Sequence, residues 1–277
     1  MSKPSGTNIA LGVWTTLVFL FLFAPIIVIG IYSFNGGRLL TAWDGFSLEP
    51  FTAIVERPSV RHAVAVSLQT AVVAALLAST LGTLAGMAMA RFPGRWTGPF
   101  TLLLLLVSVT PEIVDGIALL PWFVTLGQDW SLLPFNNGYV RLVIGHSLFA
   151  TAVVTYIVRA RLIGLDASLE EASADLYAKP VATFFKVTIP LVGPAVLAGG
   201  LLAFTLSLDN TVISSFINVS GTTSWPVYVL SSVRSGLKPE IAAVSTILLV
   251  FTLLVLGLVA WVLKRSGSSV TDTMAAS

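Results

Sequence analysis

The chain has 277 residues, 56% of them hydrophobic and only 10% charged, where soluble domains carry roughly 25%. With a mean hydropathy of +0.92, that deficit points to a bilayer before any motif is read. A net charge of +2 with scattered arginines excludes a nucleic-acid surface, and the absence of cysteine excludes disulfides and cysteine-held metals.

A spanning helix needs about 20 mostly apolar residues, and six segments qualify. The first, 9–31, exceeds the roughly 7–15 residues of a signal-peptide core and ends in no small-residue cleavage site, so it reads as a retained span. The second, 63–90, carries Ala74, Ala78, Gly82, Gly86 and Ala90 at four-residue spacing. Such a small-residue stripe lets helix backbones approach closely in lipid. The third, 100–126, is interrupted by Pro111, Glu112 and Asp115, and Pro111 with Gly116 permits a break there. The fourth is 140–158. The fifth, 191–216, repeats the stripe with Ala195, Gly199, Ala203 and Ser207. The sixth is 241–263. Residues 1–265 therefore read as one transmembrane domain, all-α, with a polar, disordered tail at 266–277.

An even count of spans puts both termini on one side. Lys3, Arg91, Arg95, Arg159, Arg161, Lys179, Lys186, Lys264 and Arg265 then share that side, against Arg38, Arg57, Arg61, Arg141, Arg234 and Lys238. The excess makes it the cytoplasmic side. The outer segments 32–62, 127–139 and 217–240 are rich in turn residues, and none is long enough for a domain. Trp225 and Tyr228 in the last read as interfacial anchors or as contacts for a docked protein, with the anchor favoured. His62 and His146, the two histidines, are too isolated for a metal site, and His146 is placed to bond across helices.

The longest inner segment, 159–190, is a polar island between two spans. Leu165, Leu169, Ala172 and Leu176 give one apolar helical face. Ser168 and Glu171 fit a capping box, and Asp166 offers an alternative cap. Lys179-Pro180 ends that helix, and a second short helix, 181–187, is expected before Pro190 opens the fifth span. Periodicity alone leaves two readings, an interfacial connector or a socket for a soluble partner. The segment resembles the EAA loop of binding-protein-dependent ABC importer permeases: Glu-Ala-Ala, three residues, Gly, nine residues, Ile-x-Leu-Pro. Here Glu171-Ala172-Ser173 opens the motif, Tyr177 occupies the glycine position, and Val187-Thr188-Ile189-Pro190 closes it. The resemblance implies a type I ABC importer permease fold with a coupling helix between the fourth and fifth spans. Glu170, Glu171, Ala172, Asp175 and Tyr177 become the residues that meet a cytoplasmic ATPase. It also implies a homologous permease partner, two ATP-binding subunits and an extracytoplasmic solute-binding protein, in a bacterial inner membrane. The chain has no phosphate loop of its own. It is then a non-enzyme subunit without cofactors, and ATP and magnesium belong to the partner ATPase.

Glu112, Asp115 and Asp209 fall within predicted spans with no basic residue at mid-span to pair with them. Intramembrane carboxylates are costly, so they either cap and bond locally or line a path for a cation. Thr110-Pro111-Glu112-Ile113-Val114, Phe204-Thr205-Leu206-Ser207-Leu208-Asp209-Asn210 and Lys238-Pro239-Glu240-Ile241 resemble the second permease of spermidine/putrescine importers. Asn210 stands where that subfamily has a second aspartate. A polyamine is the substrate this implies. Its alternatives are amino-acid-like cations, opines, thiamine or ferric iron, or a proton-driven carrier with the carboxylates as relays.

Overall fold

The computed structural model describes residues 6–166 and 168–265. Lys3 and the tail 266–277 lie outside the described residues. The described residues are almost wholly helical, with one isolated bridge pairing Asn35 and Phe46. Among the described residues, five helices are long and apolar enough to cross a membrane, and a bent pair brings the count to six. The chain divides into two compact units.

One unit comprises the chain up to Arg61 together with Val229–Thr252. Its first helix, α1 (Gly6–Tyr32), continues through Pro25. From Leu11 to Phe23 every side chain is exposed, a surface of Leu, Phe and Val suited to lipid. The following loop is organised around Asn35, which is fully buried. Its side-chain NH2 donates to Leu39 O and Ala42 O, and its Oδ1 accepts from Gly37 N and Asp44 N. All of its amide capacity is thereby used. Helix α2 (Glu49–Glu56) follows. Arg57 donates to Glu240 at 2.6 Å, and Glu240 is only 6% exposed. This ion pair borders a cavity of about 440 Å³ that is also lined by Arg38, Glu49 and Lys238.

The other unit runs from His62 to Tyr228 and from Leu253 onward. It holds most of α3 (Pro58–Arg91), then α4 (Thr97–Val109), α5 (Glu112–Val124) and α6 (Gly138–Ile163). Helix α5 runs on through a π-turn at Thr125–Asp129. The third predicted span is thus two helices, bent by 105° at Thr110-Pro111. Both residues are extended, with ψ of 128° and 134°. Proline cannot donate a helical N–H, and it forces its predecessor out of the helical region. Gly116 does not take part in the break. A Cβ there would lie 2.7 Å from the Phe216 ring, so this glycine makes room for a neighbouring helix.

Beyond α6 come α7 (Ser168–Asp175) and α8 (Pro180–Thr183). A π-segment at Phe184–Thr188 joins α8 to α9 (Ile189–Leu208). The expected separate helix at 181–187 does not exist as such, because Pro180–Leu208 is one continuous helix of 29 residues. Pro190 supplies no N–H to the turn before it, and the wider π-turn there absorbs the lost bond. The fifth predicted span also ends early. The helix stops at Leu208, residues 209–211 break it, and α10 (Val212–Ile217) restarts. Then come α11 (Trp225–Val233) and α12 (Pro239–Arg265). Trp225 is 5% exposed, and its backbone N–H donates to Ser67 Oγ. It stacks on Tyr228 at 5.6 Å. The expected interfacial anchor is therefore a buried residue that seats α11.

The two small-residue stripes converge on one side chain. A Cβ on Gly82 would sit 2.6 Å from Val154 Cβ, and one on Gly199 3.4 Å from the Val154 methyls. One on Gly86 would meet the Thr155 carbonyl at 2.9 Å and Arg159 N at 3.1 Å. These last are backbone atoms and cannot rotate aside. Gly86→Ala is therefore expected to cost about 1–3 kcal/mol by overpacking. Thermal denaturation in detergent checks this, with Gly193→Ala as control, because a Cβ there meets nothing within 4 Å.

Candidate functional site

Two groups of predicted residues lie in the second unit. The first is the loop around α7. Asp166, not Ser168, caps this helix, accepting from Ser168 N at 2.9 Å. The Ser168 backbone N–H, then its hydroxyl, hold the Asp166 carboxyl below the usual carboxylate range. The side of α7 turned toward the rest of the chain is polar. Glu170 Oε1 accepts from Arg91 Nη2 and from Thr188 Oγ1, each at 2.9 Å. Ser173 Oγ lies 2.8 Å from Thr183 Oγ1. Glu170 thus ties together the end of α3, α7 and the π-segment that leads into α9. Of the expected apolar face, Leu165 packs against the core of the unit, while Leu169 and Leu176 are turned outward, 45% and 82% exposed. Glu171, Ala172 and Asp175 share that exposure. Four of the five predicted contact residues face away from their own chain, and Glu170 faces into it.

Tyr177 explains the motif glycine. Its φ is +57°, a left-handed conformation that costs a non-glycine residue roughly 1–2 kcal/mol. Ala178 N donates to Ser173 O and Tyr177 N to Ala174 O. This is the Schellman pattern that closes a helix with a left-handed residue just past its end. The turn survives the loss of glycine, and the tyrosine side chain is 96% exposed at its tip. Tyr177→Gly is expected to stabilise the loop by about 1 kcal/mol, read as slower amide hydrogen exchange across residues 168–178.

The second group is the carboxylates. Glu112 opens α5 directly after the break, and Asp115 lies one turn on, where the positive end of the helix favours negative charge. Asp209 follows the last residue of α9. Helix α10 packs against α5 and α6, and Phe216 covers Gly116. Both breaks are thereby brought together, and Glu112 lies within electrostatic reach of Asp209 and Asp115. Among the described residues none of the three forms a salt bridge. Asn210 is buried, 9% exposed, and its Oδ1 accepts from Ser214 N. The residue that replaces the subfamily's second aspartate thus serves the start of α10. His146 bonds across helices as its position implies, but sequence reasoning missed its partners: its ring nitrogens lie 2.7 Å from Ser207 Oγ and 2.8 Å from Ser214 Oγ. The i to i+7 pair of serines around the break was their one visible signal.

The profile of the binding-protein-dependent transport system inner membrane component matches residues 82–267. The chain belongs to that family. This permease is 40% identical over 251 residues to the putrescine transport system permease protein PotI of Escherichia coli strain K12, spanning 89% of this chain and 88% of that one. It is 34% identical over 242 residues to the spermidine/putrescine transport system permease protein PotC of the same strain, covering 87% and 89%. A solved bacterial alginate ABC transporter, in complex with a periplasmic protein bound to an alginate pentasaccharide, superposes with a TM-score of 0.70. That match has 12% identity and covers 95% of the permease and 96% of the solved chain. The MetNI methionine ABC transporter gives 0.60 at 13% identity, over 79% and 98%. The permease has the type I ABC importer permease fold that the loop motif implied. It is a multi-pass inner-membrane component of a binding-protein-dependent importer.

Proposed function

We propose that this chain is the permease subunit of an ATP-driven importer for a small organic cation, a polyamine such as putrescine. Its assembly contains a homologous permease, two ATP-binding subunits that hold ATP and magnesium, and a solute-binding protein. Both termini and the α7 loop lie on the cytoplasmic side, in accord with the excess of Lys and Arg there. The outward face of Leu169, Ala172, Leu176 and Tyr177, flanked by Glu171 and Asp175, is the docking surface for the ATPase. An unpartnered apolar patch on a loop of a membrane protein is what a protein interface leaves exposed. Glu170 acts behind it, passing rigid-body motion of α7 to α3 and α9.

One observation carries the substrate class. Three carboxylates that form no salt bridge among the described residues gather where two broken helices meet. Such a site attracts cations and repels anions, and relatives at 40% and 34% identity bear polyamine names. Calorimetric titration of the transporter's solute-binding protein tests the reading. Putrescine is expected to bind saturably, while a neutral sugar and a dicarboxylate give no heat. Selective binding of either of those two in place of putrescine contradicts it.

A further inference from the structure

His146 sits in the third turn of α6, 6% exposed, and each of its ring nitrogens faces a serine hydroxyl. A neutral imidazole donates from one nitrogen and accepts at the other, so one serine hydroxyl accepts a hydrogen bond and the other donates one. The two serines stand on opposite sides of the break at 209–211: Ser207 in the last turn of α9, and Ser214 in the first turn of α10. Asn210 Oδ1 accepts from the N–H of the same Ser214. Immediately before it, a Cβ on Gly145 would lie 2.7 Å from Ile217 and 3.0 Å from Ile213. Helix α10 is therefore pressed directly onto α6. The break's own side-chain bonds are local, Thr211 Oγ1 donating to the Asp209 carbonyl and Asn210 reaching the first turn of α10, whereas the His146 ring joins both flanks.

We infer that His146 is a positioning residue that pins both flanks of this break and thereby sets Asp209 opposite Glu112 and Asp115 for cation binding. This rests on the reading of Asp209 as a path-lining group. The clamp reaches the carboxylate through two hydrogen bonds and two residues of chain, Ser207 being two positions before Asp209. Its loss lets the loop shift and relaxes the spacing of the three charges. His146 does not touch the cation. A buried ring satisfied at both nitrogens also specifies one arrangement of α6, α9 and α10.

The test is labelled putrescine uptake by the complete transporter in proteoliposomes, with initial rates across substrate concentration. His146→Leu is expected to raise the half-saturating concentration about tenfold, a typical coupling between sites. The amount of assembled complex and its ATP hydrolysis should not change. His146→Gln, which keeps a donor and an acceptor, should recover most of the loss. Ser207→Ala and Ser214→Ala should each give a smaller shift in the same direction, and they guard against misfolding of the leucine variant. In the Asp209→Asn background, His146→Leu should add little. If Asp209→Asn impairs uptake while His146→Leu and both serine variants match the parent, the clamp is wrong and the carboxylate reading stands. A full tenfold effect of His146→Leu in the Asp209→Asn background also overturns the clamp. Unchanged uptake in Asp209→Asn itself overturns the carboxylate reading and the clamp with it.

Discussion

Asp209→Asn is expected to slow polyamine uptake about tenfold, the equivalent of about 1.4 kcal/mol of lost cation stabilisation, with assembly unaffected. Asp209 is exposed and forms no salt bridge among the described residues, so neutralising it removes charge without opening a cavity. The amide keeps the size and one acceptor oxygen. What changes is the field at the junction of α5 and α9, where Glu112 feels both Asp115 and Asp209. Concentration-dependent uptake of labelled putrescine reads the effect, and size-exclusion chromatography of the complex reads assembly. Asn210→Ala should behave in the opposite way. It removes the acceptor for Ser214 N from a buried site, at a cost of about 1–3 kcal/mol of stability, and leaves the net charge of the path unchanged. Equal uptake by the parent and Asp209→Asn removes the aspartate from the path.

Glu170→Ala is expected to uncouple ATP hydrolysis from transport. The substitution strands Arg91 and leaves the Thr188 hydroxyl without its acceptor, and Thr188 is only 7% exposed. An unmet group of that kind costs about 1–3 kcal/mol. The damage is local to the joint between α7, α3 and the π-segment. Hydrolysis should continue while transport per ATP falls severalfold. Glu170→Gln keeps the bond from Thr188 and weakens only the contact with Arg91, so it should be intermediate. Glu171→Lys fails differently. Glu171 points outward, so the fold stays intact and the ATPase is retained poorly on purification. Two distinct phenotypes from adjacent glutamates are the signature of an inward brace beside an outward contact. If Glu170→Ala also loses the ATPase with its coupling ratio intact, the brace is not what transmits motion.

Hydropathy made the spans legible, because a bilayer demands about 20 apolar residues whatever the fold. Pro111 made the first break legible, since proline cannot continue a helix. The second break, Leu208-Asp209-Asn210-Thr211, carries neither proline nor glycine and was read as helix. Its cause is the packing of α10 on α5 and α6, and tertiary contact of that kind leaves little trace in local sequence. The opposite error occurred at Pro190. A proline after Lys186 reads as a boundary, yet a π-turn carries the helix through it. The motif located the α7 loop correctly, whereas periodicity alone left its apolar face open between an interfacial connector and a socket for a partner. Polar bonds from Glu170 and Ser173 hold the inner side, and the apolar side is free for another protein. The pairing of His146 with residues 61 and 68 positions away lies beyond any local pattern.

The most direct test of the central claim is labelled putrescine uptake into proteoliposomes. They contain this permease, its partner permease and the ATP-binding subunits, with the loaded solute-binding protein outside. Uptake that requires ATP and magnesium inside the vesicle, and that Asp209→Asn and Glu170→Ala each reduce, is the predicted result. Uptake that proceeds without ATP and follows an imposed proton gradient contradicts the account.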